Sequence, residues 1–196
     1  MARALQEDCK GLAALVAHTE GAFSGHAFEA LMHHLLPQGG DFTVMPIAAT
    51  SLGIGNEELL NLPPSCKETF KDAADIRADT FKAGVYFRPL LSNFPSVDSM
   101  LRVGDTVHLF QMTVSSRRTG VSVKNLTNLY EQLGLRDQQL DLRFYYVAPD
   151  TSIKDFKVPA PARSCGTRFY VLKGGMKSRR PQQAAQPLQQ LQALQL

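Results

Sequence analysis

The stretch from Pro95 to Ser115, P-S-V-D-S-M-L-R-V-G-D-T-V-H-L-F-Q-M-T-V-S, constrains the fold more than any other part of the chain. Two alternating apolar runs flank Gly104-Asp105, the pattern of a β-hairpin closed by a two-residue turn. Val103 then faces Thr106, and counting outward sets Asp98 opposite Gln111, so these two polar side chains are expected side by side on one sheet face. Along the second strand Val107, Leu109, Gln111 and Thr113 point one way, and His108, Phe110, Met112 and Val114 point the other. One face is mostly apolar. The other turns polar toward its C-terminal end, and that end is where a site is expected.

The remaining elements arrange themselves around this hairpin. Residues Ala2 to Thr19 carry Leu5, Leu12, Leu15 and Val16 at helical spacing. From Ser24, a plausible N-cap, S-G-H-A-F-E-A-L-M-H-H-L-L-P predicts a helix ended by Pro37-Gln38-Gly39-Gly40. Phe42 to Ile47 reads as a strand whose Pro46 confines it to a sheet edge or a strand end. Ala48 to Asp79 is irregular, with Pro63-Pro64 and a short helical pattern around Glu68 to Ile76, and is assigned no role. Lys82 to Leu91 begins the next strand. After the hairpin, Leu126, Leu129, Tyr130 and Leu133 predict a helix stopped by Gly134. Leu140 to Ala148 and Thr167 to Leu172 are the last strands. Strand, helix and strand with short connections make a crossover, so the strands on either side of it are expected to be parallel. The fold class is therefore α/β: a mixed sheet with flanking helices. Three segments are expected: an N-terminal helix (1–20), one domain (21–175), and a Gln-rich tail (176–196) without charged or aromatic side chains past Arg180.

Composition narrows the function classes. At 196 residues, 44% hydrophobic and 20% charged, the chain is an ordinary globular one. No stretch approaches the apolar length that spans a bilayer, and Met1 to Gly21 lacks a basic start followed by a long apolar run. Three widely spaced cysteines, Cys9, Cys66 and Cys165, argue against a disulfide framework and for a reducing, intracellular compartment. The net charge of +3 is small, but Arg117-Arg118 and the group Lys173, Lys177, Arg179 and Arg180 cluster as they would for a phosphate backbone or for solubility alone. His26, His33 and His34 share a helix but lack the i, i+4 zinc pair, and Gly53 and Gly55 form a lone G-x-G. Neither suggests a zinc or nucleotide site.

A carboxylate and an amide oxygen at a strand end suit a hard cation such as Mg²⁺, which takes one or two carboxylates with water and phosphate. A nearby basic side chain would complete a site that activates water at a phosphodiester. Asp98, Gln111 and a lysine are the minimum set, and Glu29 adds a second carboxylate if its helix packs beside the hairpin. Each has a plainer reading: Asp98 as an edge residue, Gln111 as a strand-bonding amide, Glu29 as a solvated or salt-bridged helix residue.

The pattern resembles a known family. G-x-x-F-E (Gly25, Phe28, Glu29), a strand with Asp98, and Gln111-Met112-Thr113 in the E-x-K position are similar to the PD-(D/E)xK restriction-endonuclease-like fold, whose hairpin the spacing 111 − 98 = 13 suits. S-N-F-P-S-V-D-S-M and L-F-Q-M-T-V-S resemble the nuclease-like C-terminal domains of Crinkler effectors and retrotransposon-hot-spot proteins. The resemblance covers roughly Gly21 to Pro149. It implies a restriction-endonuclease-like core and a Mg²⁺-dependent nuclease acting on DNA, with Asp98 and Gln111 as metal ligands and Glu29 in support. Gln111 replaces the usual acidic residue and Thr113 the lysine; in such folds the lysine can move to the next helix, where Lys124 is the candidate. The resemblance further implies an effector acting inside a host cell, often in its nucleus, with a translocation region absent from this chain. Two functions stay open: a metal-dependent nuclease, or an inactive form of that fold binding nucleic acid or a protein partner.

Overall fold

The computed structural model describes residues 22–48, 53–72, 75–76, 81–91, 94–95, 97–115, 121–135, 138–156 and 166–176. The expected helix at 2–19, Arg117-Arg118 and the tail with Lys177, Arg179 and Arg180 lie outside these residues. The chain runs α1 (Ala22–Leu35), β1 (Gly40–Pro46), β2 (Glu58–Leu62), β3 (Cys66–Phe70), β4 (Val85–Pro89), β5 (Ser99–Val103), β6 (Thr106–Met112), α2 (Val123–Gln132), β7 (Asp141–Ala148) and β8 (Arg168–Met176).

The described strands form one eight-stranded sheet in the order β2-β1-β8-β7-β6-β5-β4-β3. β5 and β6 are the expected hairpin, paired from Val103↔Thr106 to Ser99↔Phe110, with Gly104 at φ 57° in the turn. The crossover through α2 makes β6 and β7 parallel, and β7 and β8 are parallel as well. β1 pairs antiparallel with β2 and β8, so the sheet is mixed. Pro46 ends β1, where its missing N–H costs the ladder least.

A helix covers each face. Phe28, Leu31, Met32 and Leu35 of α1 repeat at i, i+3, i+4 and i+7 and pack on Phe110, Met112, Tyr145, Val147 and Leu172. Gly174 lets α1 approach this closely, because a Cβ there would sit 2.5 Å from the Phe28 ring. Leu126, Leu129 and Tyr130 of α2 pack on the opposite face against Val107, Leu109, Phe144, Tyr146 and Val171. α2 stops where the sequence says it should. Gly134 takes φ 63°, its N–H bonds Glu131 O, and the Leu135 N–H bonds Tyr130 O, the paired bonds of a Schellman cap.

Two local expectations change. Ser24 lies inside α1 and is buried, so it does not cap the helix. The helical pattern expected at 68–76 gives way over Cys66–Phe70 to β3, whose backbone pairs in parallel with β4 from Cys66↔Val85 to Phe70↔Pro89. β3 is an edge strand with four exposed residues and only Phe70 turned inward, so it has almost no apolar alternation to read.

Candidate functional site

The hairpin ladder follows the counted register down to Ser99↔Phe110 and then departs from it. The Asp98 N–H donates to Phe110 O at 2.8 Å, so Asp98 and Ser99 both address Phe110, as in a β-bulge. The next ladder donor, the Met112 N–H, bonds the Asp98 carboxylate at Oδ2 (2.6 Å), so a side chain replaces a backbone acceptor at the strand end. A bulge re-aims the side chain it carries. Asp98 accordingly lines a cleft on the α1 side of the sheet together with Glu29, Arg88, Pro89, Leu90 and Leu91.

Glu29 reaches that cleft because it sits beside Phe28 on α1, one step round from the buried stripe. Its side chain is 32% exposed, and Oε1 lies 3.4 Å from His33 Nε2 and 3.9 Å from the half-exposed Arg88 guanidinium. The His33 bond holds the Glu29 carboxyl below its ordinary value against the opposing pull of burial, and Arg88 and His26 add to the lowering. The helix residue expected as a second carboxylate is thus also the salt-bridge partner of the plainer reading. Behind it, His33 Nδ1 lies 2.8 Å from the Tyr86 hydroxyl, which donates to Ser99 Oγ at 2.7 Å. Burial pushes the Tyr86 phenol well above its usual value, so it stays a neutral hydroxyl.

The four expected site residues therefore divide. Glu29 and Asp98 meet in one cleft, although 98 − 29 = 69 residues separate them. Gln111 alternates with Phe110 and Met112, which face α1, and so belongs with Val107 and Leu109 on the α2 face. The residue is half-buried, but its Oε1 is fully buried and has no hydrogen-bond partner among the described residues. The expected side-by-side pairing of Asp98 and Gln111 is corrected by the bulge, which turns Asp98 away from that face. Lys124 is exposed in the first turn of α2, in the same layer as Gln111. Thr113, at the lysine position of E-x-K, is buried and bonded to the Ser115 backbone.

Arg88, Tyr86, His33 and Ser99 are site residues that the sequence alone does not indicate. Tyr86 and Arg88 are two apart on β4, so strand alternation already sets them on one face. Glu29 and His33 are four apart on α1, the spacing of helical neighbours. The signal was there once β4 was placed beside the hairpin, and sequence spacing alone does not fix that.

Among the described residues no group of three or more His, Cys, Asp or Glu is gathered as a metal cluster, and no helix is long and apolar enough to cross a membrane. The donors in the cleft are two carboxylates, oxygen ligands of the kind and number that Mg²⁺ takes when water and a substrate phosphate complete its shell. The residues fit the ion in donor type and leave most of its shell to others. No family model matches the sequence, and neither a curated protein nor a solved structure matches the chain.

Proposed function

We propose that this chain is a nuclease-like domain that hydrolyses phosphodiester bonds in DNA with Mg²⁺, using the cleft of Glu29, Asp98 and Arg88. The observation that carries the reading is the meeting of Glu29 and Asp98, contributed by a helix and a hairpin far apart in sequence, at one opening with a guanidinium. Both were expected in the site from the resemblance to Crinkler-type and retrotransposon-hot-spot nuclease domains.

Asp98 and Glu29 would hold the ion. Bound there, Mg²⁺ would supply charge neutralisation at the phosphate and a water of lowered pKa. Arg88 offers a planar donor fork for the non-bridging phosphate oxygens, with half of its side chain open to solvent. It supplies in this cleft the positive charge that the resemblance assigned to Lys124. Asp98 is fixed to the strand end by the Met112 N–H, so it is oriented before any substrate arrives. As a Crinkler-type effector domain, the protein would act on DNA within a host cell, its nucleus included.

A second reading, nucleic-acid binding without cutting, is favoured by the engagement of Glu29 Oε1 with both His33 and Arg88 and by the placement of Gln111 and Lys124 on the other face. The test is incubation of wild type and Asp98→Asn with linear and supercoiled DNA in Mg²⁺, Mn²⁺ or EDTA. Metal-dependent cutting that the substitution abolishes, in a protein still folded by circular dichroism, supports the nuclease. Absence of cutting by a folded wild type that retards DNA at low salt selects the binding module.

A further inference from the structure

The cleft has a buried polar backing that its chemistry alone does not require. From Glu29, a hydrogen-bonded chain runs inward through His33 (3.4 Å), Tyr86 (2.8 Å) and Ser99 (2.7 Å). Its three inner members are 6%, 1% and 0% exposed, so each polar atom has been taken out of water and must find its partner within the protein. The chain crosses three elements, α1, β4 and β5, and ends on the residue that follows Asp98.

We propose that His33 and Tyr86 are positioning residues for the carboxylate pair, holding Glu29 in place relative to Asp98 through this chain. The inference rests on the metal-cleft reading above. His33 spends both ring nitrogens, one on Glu29 and one on Tyr86, so its ring cannot turn without breaking a bond at one end. Tyr86 in turn ties the imidazole to β5, immediately beside the bulge that aims Asp98. Packing does not demand the hydroxyl: the Tyr86 ring lies against Phe110 at 6.4 Å, a contact that phenylalanine would keep. Groups that orient a metal-binding carboxylate from behind typically change metal affinity ten- to a hundredfold when removed.

The experiment is calorimetric titration of the full chain with MnCl₂, comparing wild type with Glu29→Gln, Tyr86→Phe, Ser99→Ala and Tyr145→Phe. Tyr145→Phe is the control, since it also removes a buried hydroxyl, one bonded to His108 at 3.0 Å on the same sheet face. The expected result is Mn²⁺ binding by wild type, its loss in Glu29→Gln, and affinity about tenfold weaker in Tyr86→Phe, while Tyr145→Phe matches wild type. Ser99→Ala, which deletes one oxygen and leaves the tyrosine, is expected to weaken binding in the same direction and serves if Tyr86→Phe does not fold. Wild type that fails to bind Mn²⁺, or binds it equally well as Glu29→Gln, overturns the metal-cleft reading and the positioning role with it. Binding that depends on Glu29 yet is the same in Tyr86→Phe, Ser99→Ala and Tyr145→Phe overturns the positioning role alone.

Discussion

His108 is held neutral in the core of the α1 face, and acid should find it. The imidazole is 4% exposed, stacks on Phe110 and Tyr145 at interplanar angles of 8° and 20°, and places Nδ1 3.0 Å from the Tyr145 hydroxyl. Burial, with help from the Arg143 guanidinium and against the pull of Asp141, lowers its pKa from 6.5 to about 4. The folded value lies below the unfolded one, so the unfolded chain takes up the proton first. The stability that the neutral imidazole contributes is complete above pH 6.5 and is lost as pH falls toward 4. At about 1.4 kcal/mol for each unit of pKa difference, the loss reaches about 2 kcal/mol at pH 5 and about 3 kcal/mol at pH 4. His108→Phe keeps the stacking and removes the titration. Urea unfolding followed by circular dichroism at pH 7, 6, 5 and 4 should show wild type losing about 3 kcal/mol more than the variant across that range. Parallel curves for the two proteins would refute the reasoning, because they would mean that the imidazole ionises in the fold as readily as in the unfolded chain.

Three further outcomes follow from the packing and the ion pairs. Gly174→Ala should destabilise by about 1–3 kcal/mol, since its Cβ would meet the Phe28 ring at 2.5 Å; an unchanged urea midpoint would contradict the close approach of α1. Leu126→Ala, at a fully buried position of α2, should cost about 2–5 kcal/mol by the same measurement, and a cost under about 1 kcal/mol would contradict the docking of α2 on the sheet. Burial works to raise the Asp141 carboxyl, but the bonds from Arg168 and Arg143 overcome it and hold the carboxyl below 3.8, so its contribution is present above that pH and is lost on further acidification. Asp141→Asn should therefore cost about 1 kcal/mol at pH 7, and the gap to wild type should close below pH 3.8; a gap independent of pH would assign the cost to something other than charge.

Elements with strong apolar periodicity were legible before the structure. The hairpin declared itself through alternation on both sides of Gly104-Asp105, and α2 through Leu126, Leu129 and Tyr130 with Gly134 behind them. The parallel pairing of β6 and β7 followed from the short crossover. β3 was illegible because an exposed edge strand reading C-K-E-T-F buries only its last residue. In the site, Glu29 and Asp98 could be named from their chemistry and spacing, but their meeting could not be read from the hairpin count. That count set Asp98 beside Gln111, and the bulge overrode it, because the Asp98 carboxylate takes the Met112 N–H and a local side-chain bond of this kind competes with the ladder. Arg88 is not legible as a site residue because nothing in V-Y-F-R-P indicates that β4 lies next to β5.

The central claim is that Glu29 and Asp98 act together in one cleft. The most direct test is the initial rate of DNA cutting in Mg²⁺ for wild type, Glu29→Gln, Asp98→Asn and the double variant, each checked for folding. If the two carboxylates serve one site, either single substitution should lower the rate nearly as far as both together. Losses that multiply independently, or a rate untouched by either substitution, would contradict it.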